Sequence, residues 1–509
     1  MAVKRNDKGT GAFELLSFVL LMVFFLGIGF LDGPEWCVDT PSYVSMDFSR
    51  EPVYPLFLMG LRRLFESMNV TAQPYGLPAY LTLAMVLQSL LWVVAIHRLG
   101  TYIFEISHYS LGRTRALVLA SAAEITQVGV ALLNRFIAKR GSMYSESLMT
   151  ESLAMPLFVL FTIALIKSFD KYEIKDVIKL FFMSVLICSI RKQMLICVLM
   201  WGFTSFVLHL FVKRHRSLNR FSMTVIGVAL SLVCIALFDR GYNLAVRGVF
   251  APHTGNSLGG LSTVFYTSSD EDIALFTEKE NSEYPDIDRL VARIVDTCNE
   301  QELTIDHCPG YDPKVCSNVF NSDWKGMVEH YEQSYDIIGF DVVLPFADDY
   351  VYEHFGERGT VEAMMLSDGV QKEMFNVLLK ARITSVFKGD DHGAFYVLTS
   401  NILKAFVISN ANMYPEVLVM VSAVIYSLYL VLYIVLAIRT AIQAGKDLRG
   451  NNLELLAYRR KVLLLGFVVM TGLVINCLVT GALIFPQPRY MCYSMGLFYL
   501  SLFSQLFPQ

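Results

Sequence analysis

Long apolar runs separated by short polar segments dominate the pattern along this chain. A run of about 20 apolar residues is enough for a helix to cross a bilayer. Arg191 and Lys192 divide the apolar stretch 176–211 into two runs, so the prediction of spans is weakest there. The fold class predicted is an all-α polytopic membrane protein with about ten transmembrane helices. The runs cover residues 13–31, 79–97, 115–133, 148–166, 176–190, 193–211, 222–238, 413–438, 461–485 and 489–507.

One long segment, residues 239–412, departs from this pattern because it is polar for most of its length. Residues 251–392 carry 27 acidic and 10 basic side chains, whereas the rest of the chain has a net charge of +13. We predict a separate, mixed α and β or helical soluble domain here, with apolar alternation over 337–347. The next stretch, 393–411, predicts an amphipathic helix lying on the membrane.

The predicted organisation therefore has three parts. Residues 1–250 form an N-terminal transmembrane module with about seven spans and an outer loop at 32–78. Residues 251–392 form the acidic domain, and residues 393–509 contain the amphipathic segment and the last spans.

Composition and charge add a class and an orientation. The chain is 54% hydrophobic and 17% charged, against about 25% charged residues in soluble domains. Its mean hydropathy is +0.47. Short basic loops face the cytoplasm, and the basic segments lie at the N-terminus and at 97–115, 212–220 and 439–461. The 32–78 loop and the acidic domain then face outward, which we expect to be the extracytoplasmic side of a bacterial cytoplasmic membrane. The first run is too long for a signal peptide and lacks a small-x-small cleavage site, so we read it as a retained anchor.

Four cysteines, Cys37, Cys298, Cys308 and Cys316, fall on the predicted outer side. A pair on an oxidising face can form a disulfide. We expect one such disulfide in preference to a zinc site, because the spacing does not fit a compact zinc motif.

The outer loop after the first run concentrates candidate chemistry. Asp39-Thr-Pro-Ser-Tyr43 is followed by Arg50-Glu-Pro-Val-Tyr54, and Asp32 lies just before. Asp32 has a structural explanation in the Asp-Gly-Pro turn, whereas Asp39 has little beyond a turn before Pro41. Charged groups at a membrane face suggest chemistry on a substrate that is part lipid and part polar.

Distant parts of the chain place more charges on the same predicted side. Glu151 lies inside the start of an apolar run, Arg191 and Lys192 lie between two runs, and Arg489 opens the last run. A cation at this depth pairs with a carboxylate or binds an anionic head group. Snorkelling to lipid phosphates is the simpler alternative.

These motifs, in this order, resemble the GT-C superfamily of integral membrane glycosyltransferases, such as the aminoarabinose transferases and the protein O-mannosyltransferases. The matching features are the outer-loop Asp39, Arg50-x-Pro-x-Tyr-Pro-x-Phe-Leu58, Ser147-Leu-Met-Thr-Glu151, Ile190-Arg-Lys-Gln-Met194 and Arg489-Tyr490. The resemblance covers the first seven spans and the last helix, and the acidic domain has no place in it.

The resemblance implies transfer of a sugar from a polyprenyl-phosphate donor to a glycan, lipid or protein acceptor. A base and a cation are needed, the first for the acceptor hydroxyl and the second for the leaving phosphate. The expected base is Asp39, with Asp32 as its rival, and Glu151 supports the base or positions the acceptor. The expected phosphate ligands are Arg191, Lys192 and Arg489. The expected pocket residues are Tyr43, Arg50, Tyr54 and His253, although a position on a surface loop is the favoured interpretation of His253.

Two other classes stay open. A transporter or flippase of lipid-linked substrates would show internal repeats and broken helices near the midplane, and the halves of this chain show no repeat. A lipid-linked polysaccharide polymerase or ligase also has a large outer loop, but the early 39–58 loop argues against it. A divalent metal held by outer Asp and Glu residues remains open, membrane lipids are expected partners, and we expect no nucleic-acid partner.

Overall fold

A computed structural model describes residues 8–136, 141–212, 215–277, 283–308, 311, 324–388, 393–411 and 416–507. Some positions used above, including residues 1–7, 213–214 and Cys316, lie outside these ranges. Every regular element in the described ranges is helical, and the only strand-like pairing there is an isolated bridge between Glu35 and Ser147.

The helices are α1 Lys8–Asp32, α2 Thr40–Val44, α3 Val53–Ser67, α4 Ala79–Leu111, α5 Arg113–Phe136, α6 Glu151–Lys171, α7 Ile174–Ile190, α8 Leu195–Phe211, α9 Leu218–Arg247, α10 Leu258–Tyr266, α11 Glu271–Thr277, α12 Ile287–Glu300, α13 Trp324–Asp336, α14 Leu344–Phe355, α15 Val361–Lys388, α16 Ala394–Ala411, α17 Glu416–Arg449, α18 Leu453–Leu483, α19 Pro488–Met491 and α20 Met495–Leu506. Single 3₁₀ turns occur at Pro74–Gly76, Lys192–Met194, Ile305–His307 and Cys492–Ser494, and a π-helical segment covers Ile337–Val343.

Eight helices of the described chain, α1, α4, α5, α6, α8, α9, α17 and α18, are long and apolar enough to cross a membrane. This confirms the prediction of an all-helical integral membrane protein. Two further predicted spans are shorter than expected. The helix α7 has 17 residues, and the run at 489–507 is divided into α19, a 3₁₀ turn and the 12-residue α20.

The chain divides into two compact units. The first contains residues 1–242, 407–476 and 488–509, and the second contains 243–406 and 477–487. The second unit is therefore larger than the predicted acidic domain. It includes most of α16. It also includes residues 477–487, which the sequence pattern assigned to the last spans.

Within the first unit, two loops are held together by backbone pairing. Glu35 N–H donates to Glu146 O (3.0 Å), and Leu148 N–H donates to Glu35 O (3.0 Å). Thr40 Oγ1 adds a hydrogen bond to Leu148 O (3.1 Å). These bonds fix the start of α2 beside the start of α6, although the two lie more than a hundred residues apart in sequence.

The second unit has its own apolar core, built from α10 to α16 and closed by Phe485 from the 477–487 segment. Of the two compositions expected, mixed α and β or helical, the helical one holds for its described residues, which form helices and no strand. The apolar alternation at 337–347 indicated a strand pattern, but these residues form the π-helical segment and the start of α14. Tight helical packing buries Ile338, Val342 and Val343 together.

No disulfide joins any two of the described cysteines. Cys298 and Cys308 are both buried in the core of the second unit. There they pack as small apolar side chains.

Candidate functional site

The side chain of Asp39 joins two arginines from distant parts of the first unit. Asp39 precedes α2 but makes no capping hydrogen bond, so its carboxylate is available for other partners. Arg50 Nη2 lies 2.8 Å from Asp39 Oδ1, and Arg489 Nη1 lies 2.9 Å from Asp39 Oδ2. Each carboxylate oxygen therefore faces its own guanidinium group.

Glu151 and Arg191 form a second, more deeply buried pair. Glu151 is the first residue of α6, where the helix dipole favours a carboxylate, and its side chain is 1% exposed. Arg191 ends α7 in an extended conformation. Its Nη1 donates a hydrogen bond to Thr150 Oγ1 (2.9 Å) and lies 2.7 Å from Glu151 Oε1.

Tyr490 connects the two pairs. The guanidinium of Arg191 lies 4.7 Å from the centre of its ring, and that of Arg489 lies 4.9 Å from the same ring. Gln193 Nε2 and Asn476 Nδ2 both donate to the backbone carbonyl of Tyr490, at 2.8 and 2.9 Å. Because Tyr490 lies in α19, these bonds fix α19 to α18 and to the 3₁₀ turn before α8.

A buried aromatic pair lies beside the Asp39 pair. Arg50 lies over the ring of Tyr43 (4.8 Å), and Tyr43 meets Tyr54 edge-on with ring centres 5.0 Å apart. Tyr54 is fully buried, and its hydroxyl accepts a hydrogen bond from Gln88 Nε2 (2.8 Å). Tyr43 therefore lies next to the charged groups, and the buried ring of Tyr54 packs against the ring of Tyr43.

The cluster concentrates positive charge. Ion pairs join Arg50 and Arg489 to Asp39 and Arg191 to Glu151, and the charge of Glu51 also acts on Arg50. The three guanidinium groups lie in a half-buried site, where electrostatic interactions are stronger than in water. The cluster is therefore suited to an anionic ligand that replaces one of the carboxylates.

The protonation of Asp39 follows from its surroundings. Burial acts to raise its pKa, but Arg489 and Arg50 outweigh burial, and the pKa of Asp39 lies below its ordinary value. Asp39 is therefore ionised at neutral pH and is a weak base while both arginines hold it.

The other predicted site residues have different surroundings. Asp32 pairs with Arg135, so its counter-ion differs from those of Asp39. Lys192 contributes its backbone N–H, which donates to Glu51 Oε1 (2.7 Å). His253 belongs to the second unit. In the described ranges, no group of three or more His, Cys, Asp or Glu side chains is arranged to hold a metal ion.

Sequence reasoning gave no role in the site to four residues of the cluster: Thr150, Gln193, Asn476 and Tyr490. Three of them lie inside the motifs quoted above, each beside a charged residue to which a role was given. Asn476 carries its own signal, because a polar side chain inside an apolar run needs a polar partner.

Comparison with protein-family models, with curated proteins and with solved structures finds no match for this chain.

Proposed function

We propose that this protein is a membrane glycosyltransferase that moves a sugar from a polyprenyl-phosphate donor to an acceptor on the outer face of the membrane, with inversion. The observation that carries the proposal is the cluster of three arginines and two carboxylates at the ends of apolar helices. The proposal includes the relation to the GT-C superfamily, ten spans in all, and a bacterial cytoplasmic membrane with the cluster on the extracytoplasmic side.

The donor chemistry supports this substrate class. A sugar linked to a polyprenyl phosphate is a phosphodiester with one negative charge, which can replace the carboxylate of Asp39 on Arg489. Arginine offers paired donors that match phosphate oxygens. Because the cluster lies at the ends of apolar helices, the phosphate can bind there while the polyprenyl chain stays in the bilayer.

In the proposed reaction, the donor phosphate competes with Asp39 for Arg489. When Arg489 turns to the phosphate, Asp39 Oδ2 loses its partner and becomes a better base. The acceptor hydroxyl oxygen then forms a bond to the anomeric carbon while the bond from that carbon to the phosphate oxygen breaks. Asp39 takes the hydroxyl proton, and polyprenyl phosphate leaves with the electron pair.

The second pair has a supporting role in this proposal. Arg191, held by Glu151 and Thr150, adds positive charge where the leaving phosphate becomes more negative. Tyr490 keeps Arg191 and Arg489 on one ring, so that both guanidinium groups reach the same phosphate.

A donor comparison tests the proposal. Purified protein is incubated with a radiolabelled polyprenyl-phosphate sugar or with a polyprenyl-diphosphate oligosaccharide, and acceptor-bound label is measured. We expect transfer from the first donor and little from the second. Transfer from the diphosphate alone would indicate a polymerase or ligase. Movement of either lipid across vesicles without transfer would indicate a flippase.

Matched variants locate the donor site. Arg489→Lys keeps the charge but loses paired phosphate contacts, and we expect a higher KM for the donor. Arg135→Lys, at the separate pair with Asp32, is the control and should leave the KM unchanged. Equal effects of the two substitutions would contradict the assignment of the phosphate to the Arg489 cluster.

A further inference from the structure

A cavity of about 650 Å³ lies within the first unit, at the opposite ends of the helices that carry the cluster. It lies between the C-terminal ends of α6 and α8 and the N-terminal part of α18. Asp170 lines this cavity, and Glu151 begins the same helix. Nineteen residues of α6 at about 1.5 Å each separate the two by roughly 28 Å, close to the thickness of a bilayer core of about 30 Å. The cavity therefore belongs to the other face of the membrane.

Most of the cavity wall is apolar. It includes Phe169, Leu208, Leu463, Leu464 and Phe467. A large cavity with such a wall does not hold water well. In a membrane, acyl chains are the apolar groups available to fill it.

Charged side chains form another part of the wall. Arg460 and Lys461 line the cavity together with Asp170, and Lys461 Nζ lies 3.6 Å from Asp170 Oδ2. Arg460 is exposed. The neighbouring Arg459 is already paired with Asp447 (2.7 Å). The lining thus contains two cations, one carboxylate and the imidazole of His215.

The shape of the helix pair explains why the cavity is there. Toward the cluster, α8 and the turn before it contact α18 closely: Gln193 Nε2 donates to Asn476 Oδ1 (3.0 Å), and a methyl group added to Gly472 would lie 2.7 Å from Met200 Sδ. At the other end the same helices are separated by the cavity. A ligand there would brace α18, the helix that holds Asn476 in the cluster.

We propose that this cavity binds one anionic glycerophospholipid of the leaflet opposite the cluster, with an acyl chain against the apolar wall and the phosphate on Arg460 and Lys461. Basic side chains near a membrane surface attract anionic lipids. The apolar wall selects a lipid over a free anion. This inference goes beyond the proposed transferase activity and does not require it.

Lipid titration of the full-length protein in detergent tests the proposal. Phosphatidylglycerol, phosphatidylcholine, polyprenyl phosphate and inorganic phosphate are added separately, and bound lipid is counted by native mass spectrometry while thermal unfolding is followed. We expect one phosphatidylglycerol to bind and raise the unfolding temperature. Equal binding of phosphatidylcholine, or displacement of the bound phosphatidylglycerol by polyprenyl phosphate or by inorganic phosphate, would each overturn the proposal.

Three variants give the residue-level test. Arg460→Gln with Lys461→Gln should weaken phosphatidylglycerol binding by about fivefold for each cation removed. Leu464→Trp fills the apolar part of the cavity and should remove binding while the charges remain. Arg449→Gln removes an exposed cation at the end of α17, outside the cavity lining, and should bind as the unchanged protein does.

The exposed charge variants should unfold at the normal temperature without lipid, which shows that they are folded. If they bind phosphatidylglycerol as tightly as the Arg449→Gln control, the cations only interact with bulk lipid and the proposed site does not exist.

Discussion

At the residue scale, the decisive contrast is between Asp39 and Asp32. Both follow the first apolar helix, and both are paired with arginine, but only Asp39 shares its arginine Arg489 with the Tyr490 ring and the second pair. A carboxylate in that position can exchange its partner for a phosphate. Arg135 instead donates to Asp32 and to the backbone carbonyl of Gly141.

Asp39→Asn should reduce sugar transfer by at least about a hundredfold, the usual contribution of a general base, while Asp32→Asn should transfer normally. Both variants keep the shape of the side chain, so expression and membrane insertion should be retained. Transfer rates with the polyprenyl-phosphate donor check this. Loss only in Asp32→Asn would move the base to that residue, and activity in both would contradict the mechanism.

The pH dependence should differ between free and donor-bound protein. In the free protein, Arg489 and Arg50 overcome the effect of burial and keep the pKa of Asp39 below its ordinary value, which is about 3.9. Once the donor phosphate engages Arg489, burial is opposed less strongly and the pKa of Asp39 rises. The acid limb of kcat, which reports the donor complex, should therefore lie at higher pH than the acid limb of kcat/KM, which reports the free protein. Coincident limbs would argue against partner exchange.

Sequence reasoning identified the charged residues of the cluster because they lie beside or inside apolar runs on the same predicted side of the membrane. It could not pair them. The contact between Asp39 and Arg489 spans 450 positions, and no local pattern encodes which carboxylate meets which arginine. Gln193 and Asn476 were missed because neutral amides leave no mark in a charge count.

At the element scale, the buried pair of Glu151 and Arg191 ties the start of α6 to the end of α7. Breaking a buried ion pair leaves one charge uncompensated, which costs roughly 3–5 kcal/mol. We therefore expect Glu151→Gln to lower stability by about that amount, measured by denaturant unfolding in detergent micelles.

A matched control lies on the same helix. Lys167 of α6 pairs with Glu105 at 3.4 Å, and both side chains are about half exposed. Glu105→Gln should cost less than about 1 kcal/mol, as for other exposed pairs. Similar losses for the two substitutions would show that burial does not set the strength of the Glu151 pair.

Element lengths show where hydropathy alone is misleading. In composition, the apolar runs at 176–190 and 489–507 resemble the runs that form full spans. In the structure, α7 stops at Ile190, directly before Arg191, and the last run is broken by the 3₁₀ turn Cys492–Ser494, directly after the α19 residues Arg489 and Tyr490. Both interruptions therefore lie next to cluster residues.

At the scale of the whole molecule, the division into units depends on a segment that the charge pattern could not assign. Residues 477–487 follow directly from an apolar helix, so their sequence looks like the end of a span. Phe485 is nevertheless 4% exposed in the core of the second unit, with its ring centre 5.9 Å from those of both Tyr331 and Tyr335. Packing between distant segments, and not composition, decides the boundary.

Phe485→Ala should therefore loosen the second unit of the full-length protein. Removing a buried Phe side chain costs about 3–5 kcal/mol, so protease cleavage within residues 243–406 should become faster. Mass spectrometry of the fragments from limited proteolysis measures this. Phe387→Ala, at a side chain 87% exposed, is the control and should be cut at the normal rate; a matching increase there would remove the support for a core role of Phe485.

The discontinuous second unit also has a consequence for biogenesis. After residue 406 the ribosome must make the 70 residues from 407 to 476 before the segment bearing Phe485 appears. At about 5–20 residues per second, this takes on the order of ten seconds. Throughout that interval the unit lacks part of its core and exposes apolar surface to chaperones and proteases. Slow insertion of α17 or α18 would prolong this exposure, so a mutation in those helices can cause degradation of a unit whose own sequence is unchanged.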